Sequence, residues 1–212
     1  MSEKSPLFYE PTTAITDFII FGLGAGFGFL SLPDSTSLFQ LLWAFAFFSV
    51  GMGGLLGGIT HGIGPKISEN AKRIIWQLTL IFVGLTGLLL GMSGVVYFVP
   101  KSITTWFIGG AGVIFILYIF WIVEHDTFHA AVKFYLPLML IALIGFGVMA
   151  FSYQYTGALL IVMGLIVSLA ASAVQMMKIS FHQHFNHNDL FHVIQMVGMV
   201  LLYRGGMEMP II

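Results

Sequence analysis

Hydrophobic residues in this chain form seven long runs that short polar breaks separate. The runs lie near residues 14–32, 38–62, 74–98, 103–123, 134–152, 156–177 and 190–204. Their lengths approach the roughly 20 residues with which an α-helix crosses about 30 Å of hydrocarbon. The pattern therefore predicts seven membrane-spanning helices, of which the fourth either ends near residue 123 or continues through His129.

The overall composition agrees with this pattern. Hydrophobic residues make up 58% of the 212 residues and charged residues only 8%, and the mean hydropathy is +0.97. Soluble domains carry roughly 25% charged residues. We therefore expect an all-α polytopic membrane protein that forms a single domain over residues 1–212.

The polar residues argue against a signal peptide and against nucleic-acid binding, and they limit the ligands available to a metal ion. The first residues are polar and lack the basic region and short apolar core of a signal peptide, so we expect them to be retained. Eight Lys and Arg against nine Asp and Glu leave no basic surface for nucleic acid, and membrane lipid is the expected partner. Because cysteine is absent, a metal ion would need histidine, carboxylate, amide or water ligands.

The basic residues indicate an orientation in the membrane. Six of them lie on the N-terminal side or in loops that share that side: Lys4, Lys66, Lys72, Arg73, Lys133 and Lys178. Lys101 and Arg204 lie on the opposite side. The positive-inside rule then predicts a cytoplasmic N-terminus and an external C-terminus. The kind of membrane is left open.

All seven histidines fall on this predicted cytoplasmic side. They are His61 at the end of helix two, His125 and His129 after the core of helix four, and His182, His184, His187 and His192 around the start of helix seven. We expect His182 and His184 to be loop residues. Five carboxylates share the side: Asp17, Glu69, Glu124, Asp126 and Asp189. Ionisable groups in membrane segments indicate functional sites, because burying them without partners is costly.

Two segments share the pattern Asp-x-Phe-His, one from Asp126 to His129 and one from Asp189 to His192. On a helix, residues i and i+3 lie on one face, so each segment can present a carboxylate and an imidazole together. A third helix that ends in His61 can complete a pocket. We therefore predict a metal site formed by His61, Asp126, His129, Asp189 and His192. The competing interpretation is that these residues lie at the membrane interface and bind backbone carbonyl groups.

His61 at the end of helix two and the segment Asn188-Asp189-Leu190-Phe191-His192-Val193 at the start of helix seven resemble a known superfamily. It contains the alkaline ceramidases, the hemolysin III proteins and the progestin and adipoQ receptors. The family histidine of helix two matches His61, and the second histidine of a helix-seven His-x-x-x-His pair matches His192. The first histidine of that pair is replaced by Asn188 in this chain. Gly57 stands where the family has a serine, four residues before the helix-two histidine. The resemblance implies a zinc ion near the cytoplasmic face and hydrolysis of lipid amides.

Together, these patterns predict a membrane metallohydrolase that uses zinc to cleave an amide or ester bond in a lipid-like substrate. His61, His129 and His192 would bind the metal, and Asp126 or Asp189 would be the fourth ligand or the general base. One alternative is a non-catalytic membrane protein with a structural, regulatory or transported metal. Another is a di-metal redox protein that uses iron, which the paired Asp-x-x-His segments suggest.

Overall fold

The structure, a computed structural model, describes residues 9–32, 37–182 and 185–210. Within these ranges the chain forms seven α-helices: α1 (Pro11–Ser31), α2 (Leu38–Ile63), α3 (Glu69–Val95), α4 (Thr104–Glu124), α5 (Phe128–Phe151), α6 (Thr156–Met176) and α7 (His187–Met207). Each is long and apolar enough to cross a membrane. The prediction of an all-α integral membrane protein with seven spanning helices is confirmed.

α3, α5 and α7 each begin after a residue with a short polar side chain that caps the helix. The side chain of Ser68 accepts a backbone N–H at the start of α3, and that of Thr127 does so at the start of α5. At α7, Asn186 and Asp189 form a capping box, in which each side chain accepts the backbone N–H of the other residue. These contacts satisfy N–H groups that the first turn of a helix leaves without a partner. They fix the points at which α3, α5 and α7 begin.

Six of the helices form a closed ring, and the seventh lies outside it. Around the ring α1 packs on α2, α2 on α3, α3 on α5, α5 on α6, α6 on α7, and α7 returns to α1. α4 packs mainly against α3, and only 17% of its span is buried, compared with 61% for α2 and for α3. The exposed apolar surface of α4 therefore suits contact with lipid, while the ring shelters an interior.

α1 and α2 approach each other closely through glycine. A Cβ atom added to Gly24 would lie 2.6 Å from the Cα atom of Gly51. A Cβ atom added to Gly54 would lie 2.7 Å from the carbonyl oxygen of Asp17. The glycine spacings Gly24/Gly28 and Gly54/Gly58 in the sequence are typical of helix faces that a neighbour can approach, and α1 and α2 meet along these faces. This approach brings Asp17 against α2.

The segment between α4 and α5 decides between the two ends that the sequence allowed for the fourth helix. α4 ends at Glu124, and a new helix begins after Thr127, which has an extended backbone (φ −116°, ψ 147°) and a side chain that accepts the N–H of Ala130. The predicted end of the fourth helix near residue 123 is therefore confirmed, and the alternative of one helix through His129 is wrong. Because Asp126 precedes the new helix, Asp126 and His129 do not share a face of one helix. The physical reason is the Thr127 hydroxyl, which caps a separate helix.

Candidate functional site

The centre of the site is His192, a buried residue in the second turn of α7 that contacts α1 through both ring nitrogens. Nδ1 lies 2.8 Å from Oγ1 of Thr16, and Nε2 lies 3.2 Å from Oδ1 of Asp17. The hydroxyl of Thr16 also lies 2.9 Å from the carbonyl oxygen of Thr13, to which it can only donate. With its single hydrogen directed there, Thr16 can accept from an Nδ1–H of His192, and in this tautomer Nε2 carries no hydrogen. Nε2 therefore needs a proton or another cation between itself and the Asp17 carboxylate.

Asp17 itself is 4% exposed. Oδ2 is buried without a hydrogen-bond partner in the described part of the chain. The carboxylate lies directly on α2, where a Cβ atom added to Gly57 would be 3.0 Å from Oδ1 and 3.1 Å from Oδ2. A buried carboxylate oxygen without a partner is energetically costly. Asp17 is therefore ready to accept water, a metal ion or a donor group of a ligand.

His61 is held by residues that lie just before α1. Its Nδ1 lies 2.6 Å from Oε2 of Glu10, and the backbone N–H of Glu10 donates to the carbonyl oxygen of His61 at 3.1 Å. The N–H of Tyr9 donates to the carbonyl oxygen of Gly62 at 2.9 Å. Carboxylates that bind one nitrogen of a histidine commonly orient the other nitrogen toward a metal. Glu10 therefore fixes the His61 ring and leaves its Nε2 for a ligand.

Asp17, His61 and His192 all line one cavity of about 180 Å³ inside the ring of helices. Further polar lining comes from Gln175 on α6 and from α7, and the rest of the wall is apolar. The apolar lining includes Ile20, Val50, Val83, Leu90, Phe128 and Met139. A cavity with an apolar wall and a few convergent polar groups is typical of ligand sites. The shape and chemistry suit an amphiphilic molecule.

A second cavity, of about 510 Å³, lies beside His61 and the first turns of α3. His61 and Trp76 line both cavities. The indole Nε1 of Trp76 donates to the carbonyl oxygen of Asp126 at 2.9 Å, which anchors the ring. Lys72 and Arg73 contribute to the wall of this second cavity. The two cavities therefore share His61 and Trp76 as a common wall, and charged residues of α3 line the second one.

Two of the residues predicted for the metal site, Asp126 and His129, do not line the interior cavity. The Oδ2 atom of Asp126 accepts from Nε of Arg73 at 2.8 Å and from Nε2 of Gln77 at 3.3 Å. His129 is exposed in the first turn of α5. This segment is therefore a surface link that a partly exposed ion pair holds to α3.

Asp189, another predicted residue, is 1% exposed, and its two oxygens are used within the protein. Oδ1 accepts from the hydroxyl of Thr13 at 2.8 Å, and Oδ2 accepts from the backbone N–H of Asn186 at 2.7 Å. Asp189 thus joins α1 to α7 and caps α7, and it does not line the cavity. Of the five predicted residues, His61 and His192 are the two that share the cavity wall. His184 lies outside the described residues, and His182 is an exposed loop residue.

The sequence patterns did not include Asp17 in the site, although they placed it on the same side of the membrane. Its signal was an ionisable residue within a membrane-spanning helix. Among residues 9–32, 37–182 and 185–210, no three His, Asp or Glu side chains are already gathered closely enough to hold a metal ion. Because Asp17 and His192 are in contact and His61 lines the same cavity, a metal site there needs at least one of these side chains to move.

These features define the class: a seven-helix integral membrane protein with a buried acid–histidine cluster at the polar end of an apolar cavity. A family model described as a family of unknown function, DUF6962, matches residues 12–210. The chain therefore belongs to this family, and the match includes Asp17, His61 and His192. No curated protein and no solved structure matches the chain.

Proposed function

We propose that this protein is a membrane-embedded, zinc-dependent hydrolase that cleaves an amide or ester bond in a lipid-like substrate. The observation that carries the proposal is the contact between Asp17 and His192 beside His61 at one end of an apolar cavity. The resemblance of His61 and His192 to the histidines of the ceramidase and hemolysin III superfamily supports the same conclusion. The apolar wall would hold the hydrocarbon part of the substrate.

The donor set fits zinc, for which histidine nitrogen and carboxylate oxygen are common ligands. His61 and His192 would hold the ion through Nε2, with Asp17 Oδ1 as the third protein ligand. The 3.2 Å between Asp17 Oδ1 and His192 Nε2 is close to the separation of about 3.3 Å between two ligands of a tetrahedral zinc ion. The cation that the hydrogen-bond pattern of His192 requires would then be the metal.

Each residue has a separate role in the hydrolysis. A bound zinc ion would supply Lewis-acid chemistry, which polarises a carbonyl group and activates water. Asp17 Oδ2, which is buried without a partner, takes the proton that the attacking water loses and passes it to the leaving nitrogen or oxygen. Thr16 holds the Nδ1–H of His192, and Glu10 holds Nδ1 of His61, so both rings keep a fixed orientation.

A second candidate is a non-catalytic protein in which the same cluster holds a structural metal. The observation that favours it is that Asp17, His61 and His192 come from three different helices, so one ion would join α1, α2 and α7. The di-iron interpretation is less well supported, because of the two similar segments only that of α7 presents its Asp-x-x-His pair on one helix.

The test is to measure the metal content of the purified chain together with hydrolysis of two chromogenic probes, an acyl p-nitroanilide and the matching p-nitrophenyl ester. We expect one zinc ion per chain, loss of turnover with a chelator and recovery with added zinc. His61→Ala and His192→Ala should remove the zinc, because a site with three protein ligands loses most of its affinity with one of them.

The matched control is His129→Ala, which removes an exposed histidine and should leave both zinc and turnover unchanged. Zinc that is bound and lost in the same variants, with no turnover of either probe, would favour the structural metal. A chain that contains no metal, and whose stability is unchanged by His61→Ala and His192→Ala, would contradict both candidates.

A further inference from the structure

α6 presents three polar side chains to the interior cavity on successive turns. Ser168, Ser172 and Gln175 all line the cavity. The hydroxyl of Ser172 is used within the protein, because it donates to the carbonyl oxygen of Ser168 at 3.0 Å and accepts from the hydroxyl of Tyr135 at 2.7 Å. In the described structure, Oγ of Ser168 and Oε1 of Gln175 are both buried without a hydrogen-bond partner. The α6 wall therefore has unused hydrogen-bonding capacity.

The Gln175 side chain is anchored by its nitrogen. Nε2 donates to Oδ1 of Asn188 at 2.6 Å, and the backbone N–H of Asn188 donates to Oδ1 of Asn186 at 2.7 Å. This leaves Oε1 as the free atom, and a carbonyl oxygen of this kind can only accept. A buried acceptor without a donor costs free energy, so a ligand that brings a donor to it gains affinity.

The position of Gln175 relates this acceptor to the acid–histidine cluster. Asn188 lies one helical turn before His192 on α7, so Gln175 lies at the same end of the cavity as His192. A ligand whose polar end reaches His192 can therefore place an adjacent N–H or O–H group at Gln175. An ester offers only acceptor oxygens at this point, whereas a secondary amide or an alcohol offers a donor.

We infer that Gln175 determines ligand specificity by accepting a hydrogen bond from an N–H or O–H group at the polar end of the bound molecule. The inference rests on the proposed function for the lipid-like character of that molecule, and it adds the donor that the molecule must carry. An ester without such a donor leaves Oε1 of Gln175 buried and unsatisfied. Because Oε1 is already unsatisfied in the ligand-free protein, a ligand with a donor gains the full hydrogen bond, and the ester gains none.

The test measures binding without requiring turnover. Three probes with the same brominated alkyl chain are compared on the full chain in detergent: an N-methyl amide, a primary alcohol and a methyl ester. Bromine quenches indole fluorescence, and Trp76 lines the cavity, so Trp76→Phe identifies the relevant signal. We expect the amide or the alcohol to bind about 5- to 10-fold more tightly than the ester. Whichever of these two binds more tightly identifies the donor as N–H or O–H.

Two variants assign the preference to Gln175. Gln175→Leu removes the acceptor and should abolish the preference, whereas Ser168→Ala removes the other unpartnered polar atom of the α6 wall, leaves Gln175 in place and should retain the preference. Equal affinity for all three probes, no quenching by any probe, or a preference that survives Gln175→Leu would overturn the inference. The comparison on the unaltered chain does not depend on any variant folding. A preference that is present in a chain without zinc or turnover would support this inference and contradict the proposed function.

Discussion

The hydroxyl of Thr16 lies 2.8 Å from Nδ1 of His192, a residue 176 positions further along the chain. Three residues earlier on each helix, Thr13 and Asp189 make a contact of the same length with the same sequence separation. α1 and α7 therefore run parallel and in register, with one polar pair on each of two successive turns. Asp17 follows Thr16 directly, so this register also places its carboxylate at Nε2 of His192.

The first prediction compares the buried Asp17 with the partly exposed Asp126. Asp17→Asn should lower turnover of the p-nitroanilide probe by at least about 100-fold, because an amide is a weaker zinc ligand than a carboxylate and cannot accept the proton of the attacking water. Asp126→Asn should leave turnover within about 2-fold, since a partly exposed ion pair with Arg73 is worth little. Steady-state kinetics measure the turnover of both variants. A larger loss with Asp126→Asn would return the catalytic role to the α4–α5 link.

Substitutions at two glycines of α2 distinguish an effect on the site from an effect on the packing of the helix. Gly57→Ala would place a methyl group 3.0 Å from Oδ1 of Asp17 and displace the carboxylate. We expect at least about 10-fold weaker zinc binding, the size of effect that misplaced supporting groups cause. Gly53→Ala has its nearest contact at 3.8 Å and should bind zinc normally. Competition with a chelator measures both affinities, and equal values would show that the position of Asp17 does not matter for the metal.

The Thr13–Asp189 contact gives a prediction about stability. Thr13→Val removes a buried hydroxyl donor and should cost about 1–3 kcal/mol of unfolding free energy, because one oxygen of Asp189 loses its partner. Thr105→Val makes the same chemical change at an exposed position on α4 and should cost less than about 0.5 kcal/mol. Denaturant unfolding in detergent provides the comparison. Equal costs would mean that the α1–α7 contact does not stabilise the fold.

The close approach of α1 and α2 can be tested with another pair of glycines. Gly24→Ala would bring a methyl group to 2.6 Å from the backbone of Gly51, so the two helices must separate at a cost of about 1–3 kcal/mol. Gly22→Ala meets nothing within 4 Å and should be neutral or stabilising by up to about 1 kcal/mol, because alanine favours the helix. Thermal unfolding midpoints should therefore move apart, and a shared shift would contradict the packing.

The orientation in the membrane remains a prediction that reporter fusions can test. Fusions at Ser68, in the loop between α2 and α3, should report the cytoplasm, since the basic residues concentrate on that side. Fusions at Tyr155, between α5 and α6, should report the opposite compartment. The same compartment at both positions would contradict the predicted alternation of the seven helices.

The sequence by itself determined the seven helices and the close packing of α1 against α2. Crossing a membrane requires a run of apolar residues within one segment, and glycines at a spacing of four mark a helix face that a neighbour can approach. Both are local properties of the chain. The sequence also identified His61 and His192 as candidates, because ionisable residues in such segments are costly without a function.

Only the tertiary structure decided which of these residues meet. The pairing of Asp17 with His192 depends on the register of α1 against α7, and no local pattern encodes a register between helices at opposite ends of the chain. The two similar Asp-x-Phe-His segments illustrate the point. Thr127 caps a new helix and leaves Asp126 to an ion pair at the surface, whereas the capping box at Asn186 starts α7 early enough to bury Asp189 and His192 against α1. The same pattern thus has two different surroundings, because the two helices are capped at different points and only α7 packs against α1.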